Sequence, residues 1–303
     1  MNKPLVSMAM AVYNGQRYLE QSLDALLAQD YDNFELIILD NQSTDRTREI
    51  CLEYAKKDSR IRYILDDRRR NGHDAQTYMS SLARGKYHVS VCDDDLWESN
   101  YISRLVSVLE SDEEIGLVFS NCYHIDDNGN RMEKRPILKK SKLYKSTNSK
   151  IFNFSNYVLF RYAAPTLLGV HRKSVFQKAL PYVLFDQTGR DVDNLFVLKL
   201  LTFTKVQCVD EPLFYFRIWT NKHRRRWDKF GCELEGKSAI RNRFDDIKHQ
   251  IKFNHEVFKV IDGTDFGVIS RMYLKIATIM AFLIRLFILP VYLKLKVFFR
   301  IKP

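Results

Sequence analysis

Three consecutive aspartates, Asp93, Asp94 and Asp95, follow an apolar segment that covers residues 89–92. That segment is typical of a buried β-strand, so the carboxylates stand where the strand ends. Adjacent carboxylates repel one another and call for a positive partner, and oxygen ligands of this kind suit Mg²⁺ or Mn²⁺. The alternative is that Asp95 caps the following helix while its neighbours are solvated. The surrounding segments help to distinguish the two interpretations.

Strand-like segments alternate with helical ones before the aspartates. The predicted strands cover residues 5–13, 34–39, 60–65 and 87–92. Apolar residues at helical spacing lie between them, the first set being Leu19, Leu23, Leu26 and Leu27. This order predicts an α/β fold with a parallel sheet covered on both faces. Ligands bind at the carboxyl ends of such strands, where the polar loop 40–45 and the aspartates both fall.

Composition limits the class of protein. The chain has 303 residues, 46% of them hydrophobic, which is enough to bury a sizeable core. Its five cysteines are scattered, which indicates free thiols and no zinc site. The N-terminus lacks the pattern of a signal peptide, so we expect a cytoplasmic protein. A net charge of +11 favours an anionic partner such as nucleic acid, anionic lipid or a phosphorylated small molecule.

Four segments together resemble a known family. They read LVSMAMAVYNG, FELIILDNQSTDRT, GKY before VSVCDDDLW, and RDVDNLFVLKLL followed by VDEPLFYFR. In this order, over residues 5–217, they resemble the family-2 glycosyltransferases of GT-A fold, and an ordered set is more specific than one motif. The resemblance implies a Rossmann-like, mainly parallel sheet with helices on both faces. Here a helical C-terminal extension follows it.

The resemblance also implies a function. Such an enzyme is a metal-dependent inverting glycosyltransferase, which moves a sugar from a nucleotide-diphosphate donor to a hydroxyl of a glycan or lipid-linked acceptor. We expect a nucleotide-sugar-binding half over residues 1–122 and an acceptor-binding half of the same domain over 123–220. Residues 221–303 would form a basic loop and an amphipathic helical tail. The expected process is the synthesis of a cell-surface polysaccharide or lipopolysaccharide.

The resemblance assigns the metal ligands and the base. Asp94 is the first candidate for direct contact with Mn²⁺ or Mg²⁺ and Asp95 the second, while Asp93 is expected to contact the ribose. The cation would stabilise the charge on the leaving diphosphate. The family's general base matches Asp191, with Asp193 in reserve. The alternative for Asp191 is a helix-start carboxylate favoured by the helix dipole.

Nucleotide contacts follow from the first two loops and from the last family-like strand. Ala11 and Tyr13 match positions that approach the base. Asn41 stands where many relatives carry an aspartate that accepts a hydrogen bond from uracil N3, and its carbonyl oxygen can accept the same bond. UDP and dTDP donors both remain open, because uracil and thymine share that edge. Arg217, at the end of the last strand, is a further nucleotide-sugar candidate.

Two basic segments suggest further roles. Residues 219–227 hold two tryptophans and three consecutive arginines, and we interpret them as a lid over the diphosphate or as a solvated loop. The dispersed histidines are interpreted as structural. After Asp265 no acidic residue follows, and the apolar runs are too short to span a membrane. This tail predicts either a basic amphipathic helix on the anionic cytoplasmic face of the inner (plasma) membrane, or a helix packed on the domain or at a dimer contact.

Two other function classes stay open. A nucleotidyltransferase would share the sheet and the metal aspartates, but the residues AVYNGQRY lack the glycine-rich phosphate loop expected after its first strand. A non-enzymatic protein that binds nucleic acid or membrane would explain the charge without requiring ordered carboxylates. We therefore expect a nucleotide sugar, an acceptor and a membrane surface as partners, and no nucleic acid. The oligomeric state is left open.

Overall fold

The computed structural model describes residues 3–134, 136–137, 149–160, 163–185, 189, 191–219 and 243–284. Its first half alternates strands and helices in the order β1 (Val6–Val12), α1 (Leu19–Leu27), β2 (Phe34–Asp40), α2 (Thr47–Lys57), β3 (Ile61–Leu65), α3 (Gly72–Leu82) and β4 (Tyr87–Val91). The following elements are β5 (Leu96–Trp97), α4 (Tyr101–Ser111), β6 (Ile115–Ile125), α5 (Lys150–Phe160), α6 (Ala163–Leu167), β7 (Val170–Arg172) and α7 (Lys173–Ala179). The last are α8 (Val192–Phe203), β8 (Lys205–Arg217), α9 (Arg243–Asp262) and α10 (Val268–Leu283).

The strands form one eight-stranded sheet within the described residues, in the order β3-β2-β1-β4-β7-β6-β8-β5. Strands β1 to β4 pair in parallel, and β6 pairs with β8 in parallel. The short strand β7 runs antiparallel between β4 and β6, and β5 runs antiparallel to β8 at the edge. All seven residues of β2 are buried, because helices cover both faces of the sheet. The predicted α/β fold is confirmed.

Apolar helix faces build the core on both sides of the sheet. Leu19 and Leu23 of α1 and Leu105 of α4 pack with the strands in one cluster. The second cluster joins α8 to the C-terminal helices through Phe196, Phe253 of α9 and other apolar side chains. Burying one such Leu or Phe side chain stabilises a fold by about 1.5–3 kcal/mol. The C-terminal helices are therefore part of the folded core.

Two strands depart from the sequence-based boundaries. The last family-like strand, which the segment PLFYFR predicts over residues 212–217, is the end of the longer β8. A register shift interrupts β8 between the pairs Ser120–Val209 and Asn121–Pro212. Proline cannot donate to a sheet ladder, so a bulge at this point is expected. Strand β6 runs through residue 122, so the sheet continues across the predicted boundary between the two halves. The domain boundaries themselves stay predictions.

Helix α10 lies on the outside of the molecule. Its residues Leu274, Thr278 and Ala281 are buried, whereas a row of apolar residues on another face is exposed. In the described part of the chain, no helix is both long and apolar enough to cross a membrane. The rest of the predicted amphipathic tail, residues 285–303, lies outside the described residues.

Candidate active site

A cavity of about 750 Å³ opens at the carboxyl ends of β1 and β4. Its lining includes the predicted site residues Ala11, Asp93, Asp94, Asp193 and Arg217. Residues of the N-terminal half and of the second half therefore face one space. Of the remaining predicted residues, Tyr13, Asn41, Asp95 and Asp191 lie outside the described lining.

The loop after β1 approaches the first aspartate closely. Gly15 donates its backbone N–H to Thr47 Oγ1 at 2.8 Å, which ties this loop to the start of α2. A Cβ atom at Gly15 would overlap the carboxylate of Asp93. Glycine at this position therefore allows the loop after β1 to pack against the aspartate turn.

Two described residues at the end of β8 hold Asp94: Arg217, the last residue of the strand, and Trp219, which follows it. The indole Nε1 of Trp219 donates to Asp94 Oδ2 at 2.6 Å, and Arg217 Nε donates to the backbone oxygen of Asp94 at 2.7 Å. Trp219 also packs edge-on against Tyr18, with ring centroids 5.1 Å apart. The end of β8 thus fixes the middle aspartate of the turn. The rest of the predicted lid, residues 220–227, lies outside the described residues.

Asp95 is buried beneath this turn, with only 1% of its surface exposed. Its Oδ1 accepts the backbone N–H of Arg217 at 2.8 Å, and its Oδ2 accepts no hydrogen bond within the described residues. Burial and the nearby charge of Asp94 raise the pKa of Asp95 well above its usual value. The interpretation of Asp95 as a helix cap is wrong, because β5 intervenes and α4 begins later, after Asn100.

A hard divalent cation fits these donors. Ligand atoms of Cys92, Asp94 and Asp95 lie within 4.8 Å of one another. Burial raises the pKa of the Cys92 thiol, and hard cations such as Mg²⁺ prefer oxygen to sulfur ligands. The two carboxylates are oxygen donors of the type that Mg²⁺ and Mn²⁺ prefer. A cation here would also balance the buried, unpartnered oxygen of Asp95.

The predicted nucleotide-base contacts lie beside a loop rich in arginine. Asn41 donates from Nδ2 to the backbone oxygen of Arg70 at 2.7 Å and accepts the backbone N–H of Arg70 at Oδ1 at 2.8 Å. The Arg69 guanidinium lies 4.3 Å from the centre of the Tyr13 ring. Asn41 therefore holds this loop next to Tyr13. A carbonyl oxygen has two lone pairs, so the predicted bond from a base to Asn41 stays a prediction.

Asp191 begins α8 with a left-handed backbone, at φ 59°. Asn194 donates to its Oδ1 at 2.7 Å, and Gln250 of α9 donates to its Oδ2 at 3.2 Å. His249 Nε2 lies 3.0 Å from the same Oδ2, and the His249 side chain is only 3% exposed. The structure thus pairs Asp191 with α9, which belongs to the predicted C-terminal helical extension.

Asp193 stands two residues further on and faces the cavity. Its Oδ1 lies 3.1 Å from His73 Nε2, at the start of α3. The His73 ring in turn packs against Tyr182, with centroids 4.9 Å apart, and both residues line the cavity. The sequence favours a structural role for the dispersed histidines, of which His73 is one. No local signal could have revealed this pair, because 120 positions separate its members.

Known proteins match the first half of the chain and part of the second. Residues 7–173 match the family model described as glycosyl transferase family 2. An uncharacterized glycosyltransferase of Methanocaldococcus jannaschii is 32% identical over 160 residues, which cover 52% of this chain and 54% of that protein. A candidate teichuronic acid biosynthesis glycosyltransferase of Bacillus subtilis, TuaG, is 32% identical over 102 residues, which cover 34% of this chain and 40% of that protein. The chain thus spans about half the length of these relatives, or less.

Solved structures match over more of the chain. S. aureus TarS 1–349 in complex with UDP-GlcNAc is 16% identical with a TM-score of 0.65, covering 92% of this chain and 72% of that one. The mannosyltransferase PcManGT of Pyrobaculum calidifontis, in complex with GDP-Man and Mn²⁺, is 13% identical with a TM-score of 0.52. That match covers 92% of this chain and 74% of the other. At these identities the matches show a shared fold.

Proposed function

Because this chain belongs to glycosyl transferase family 2, we propose that it is a metal-dependent, inverting enzyme that transfers a sugar from a nucleoside diphosphate to an acceptor hydroxyl. One observation carries the proposal: Asp93 and Asp94 line the same cavity as Asp193, which comes from the second half of the chain. Carboxylates on two walls can serve the leaving group and the incoming hydroxyl separately. That arrangement suits inversion, since attack and departure occur on opposite sides of the sugar carbon.

The donor side of the cavity is formed by the aspartate turn and β8. Asp94 and Asp95 would hold Mn²⁺ or Mg²⁺, and such a cation supplies Lewis-acid stabilisation to the leaving diphosphate. Asp93 would accept hydrogen bonds from the ribose. Arg217 lines the cavity, and within the described chain its buried Nη2 has no hydrogen-bond acceptor. A guanidinium donor in this position suits a diphosphate oxygen.

The nucleotide is proposed to be UDP or dTDP. Ala11 lines the cavity, and Asn41 and Tyr13 lie at the neighbouring strand ends. An amide oxygen at Asn41 can accept the N3–H that uracil and thymine share. The bound UDP-GlcNAc of TarS and the GDP-Man of PcManGT support a nucleotide sugar as the donor class.

The second half of the chain supplies the base. A carboxylate at the start of α8 would take the proton of the acceptor hydroxyl as its oxygen attacks the sugar. The resemblance of residues 190–201 to the family favours Asp191, and Asp193 is the reserve. The name of TuaG supports a cell-surface polysaccharide as the product, and the acceptor is proposed to be a glycan or a lipid-linked glycan.

The enzyme is further proposed to work at the cytoplasmic face of the plasma membrane. Apolar residues on one face of α10 are exposed, at positions Ile269, Met272, Tyr273, Ile276, Ile279, Met280 and Leu283. Their spacing of three and four residues makes one continuous stripe. Arg271 and Lys275 lie on the same helix, and no acidic residue occurs between Val268 and the last residue of the chain. An apolar stripe with basic neighbours suits an anionic lipid surface.

Thermal unfolding with nucleotides tests this function. UDP, dTDP, GDP and CMP would each be added with and without Mn²⁺, since a ligand that binds only the folded state raises the melting temperature. We expect one nucleotide to raise it in a Mn²⁺-dependent way. The shift should disappear in Asp94→Asn and persist in the matched control Asp32→Asn, whose side chain is 80% exposed and lies outside the cavity lining. Shifts that are equal in Asp94→Asn and wild type would contradict the proposed site.

A further inference from the structure

His73 and Asp193 come from the two halves of the chain and meet at one wall of the cavity. His73 lies in the first turn of α3, whose N-terminus is capped by Asn71 accepting the backbone N–H of Asp74 at 2.9 Å. Asp193 lies in the first turn of α8. Their contact, 3.1 Å from Nε2 to Oδ1, therefore joins the walls that the two halves contribute.

The direction of this hydrogen bond follows from chemistry. An ionised carboxylate can only accept, so Nε2 of His73 carries the hydrogen and donates it to Asp193 Oδ1. The second oxygen, Oδ2, accepts no hydrogen bond from the described residues, and 46% of the Asp193 side chain is exposed. Asp193 therefore presents one held oxygen and one available oxygen to the cavity that Asp94 also lines.

Asp191 differs from Asp193 in the hydrogen bonds to its oxygens, in the exposure of its side chain and in its position relative to the cavity. Both of its oxygens already accept hydrogen bonds, from Asn194 and from Gln250. His249 lies against the second oxygen, and the Asp191 side chain is only 18% exposed. Among the described residues, Asp191 is also absent from the cavity lining. Its contacts join the start of α8 to α9.

The His73 ring is itself held in place. It packs against the ring of Tyr182 at 4.9 Å, and Tyr182 stacks on Phe196 of α8 at 4.2 Å. Phe196 is buried in the core, so this stack rests on a fixed support. An imidazole held in this way can orient a carboxylate without first losing side-chain freedom.

Resting on the proposed function, we propose that Asp193 is the carboxylate that takes the acceptor proton and that His73 is its positioning residue. Asp193 Oδ2 removes the proton from the acceptor hydroxyl, and the electron pair of that O–H bond forms the new bond to the anomeric carbon. The bond from this carbon to the diphosphate breaks, and its electrons leave on the diphosphate oxygen. Asp191 anchors α9 and holds the start of α8, so that Asp193 faces the cavity.

Four variants test the assignment: Asp193→Asn, Asp191→Asn, His73→Leu and His73→Gln. Donor binding would be measured by calorimetry with UDP-GlcNAc, UDP-glucose, dTDP-rhamnose and GDP-mannose, each with Mn²⁺. Turnover would be measured as nucleoside diphosphate release, with water as the acceptor. Melting temperatures would show that each variant is folded.

We expect Asp193→Asn to lower kcat by a factor on the order of 10²–10⁴, as loss of a general base does, with little change in donor Kd. His73→Leu should lower kcat roughly 10-fold or more, because the carboxylate loses its orientation. His73→Gln should recover most of that loss, since its amide N–H can donate to Asp193. Asp191→Asn should lower the melting temperature and reduce kcat less than Asp193→Asn does.

Three outcomes would overturn the idea in different ways. Asp193→Asn with near wild-type kcat, beside an inactive but folded Asp191→Asn, would return the base to Asp191 and leave the proposed function intact. Equal losses in His73→Gln and His73→Leu would remove the positioning role of His73. A wild-type chain that neither binds nor hydrolyses any of these donors would overturn the proposed function and this inference with it.

Discussion

The indole N–H of Trp219 donates a 2.6 Å hydrogen bond to Asp94 Oδ2. This bond joins the residue that follows β8 to the turn that follows β4. It therefore links the predicted metal ligand to the first residue of the predicted lid. A hydrogen bond to a metal-binding carboxylate sets the orientation of its oxygens, and such supporting contacts affect metal affinity strongly.

Trp219→Phe should weaken Mn²⁺ binding about 10-fold, because the ring can still pack on Tyr18 while the N–H donor is lost. The measurement is Mn²⁺ titration followed by electron paramagnetic resonance, in the presence of UDP. The matched control is Trp97→Phe, since Trp97 is buried and its Nε1 has no partner in the described structure. Equal Mn²⁺ affinity in Trp219→Phe and Trp97→Phe would contradict a role for the Trp219 bond.

Arg217→Lys should raise the donor Kd by about 10-fold to 100-fold. The Arg217 guanidinium contacts the backbone oxygens of Asp94 and Asp126 at 2.7 and 2.9 Å, and it lies 4.1 Å from the centre of the Tyr18 ring. Lysine keeps the charge but lacks the planar fork needed for several directed bonds. Calorimetry with the donor would measure the change. Arg104→Lys, at an exposed ion pair with Glu211, is the matched control and should leave the Kd unchanged.

The strands and helices in the first half of the fold could be predicted from the sequence for a physical reason. Strands such as β2 are buried on both faces, so their apolar runs are unbroken and their polar ends stand out. The helical character of the C-terminal extension was predicted, but the bounds of α9 were not, because charged residues dilute its apolar stripe, although Phe253 and Val257 are fully buried. The turn of Asp93, Asp94 and Asp95 could be predicted because its residues are adjacent in the sequence. The contacts of Asp193 with His73 and of Asp191 with His249 depend on chain packing, which no local pattern records.

Stability should fall steeply between pH 6.5 and pH 4. His88 and His171 are register partners on β4 and β7, and both are fully buried. Burial lowers the pKa of His88 to about 3 and that of His171 to about 4. The unfolded chain binds protons below its ordinary histidine pKa of about 6.5, whereas the folded chain does not. The contribution of these two histidines to stability is therefore fully present above pH 6.5. It is lost as the pH falls towards their pKa values in the folded chain.

The slope from these two residues should reach about 2.8 kcal/mol per pH unit, since each contributes up to about 1.4 kcal/mol per pH unit. Urea unfolding at pH 7.5, 6.0, 5.5 and 5.0 would measure it. The double variant His88→Leu with His171→Leu should show a much shallower slope, whatever its absolute stability. His255→Gln, at an exposed position, should retain the wild-type slope. If the double variant loses stability with pH as steeply as wild type, other groups are responsible.

Binding of the full chain to vesicles should depend on the exposed stripe of α10. Ile269 is 85% exposed and Ile276 is 56% exposed, and the two lie on the same face of α10, two turns apart. Replacing both with Glu removes apolar area that the membrane would bury. It also adds two charges that anionic lipid repels, each worth about 1 kcal/mol near the surface. Co-sedimentation with vesicles of phosphatidylglycerol and phosphatidylethanolamine would measure binding. We expect the bound fraction of the double variant to fall at least 10-fold.

The control for this prediction is Leu184→Glu, which adds one such charge at a 50% exposed leucine outside α10. It should bind vesicles nearly as well as wild type. Raising the salt concentration should weaken wild-type binding, because the basic residues are screened, without abolishing the part that the apolar stripe contributes. Equal sedimentation of wild type and the Ile269→Glu, Ile276→Glu double variant would show that the exposed stripe of α10 does not carry membrane binding.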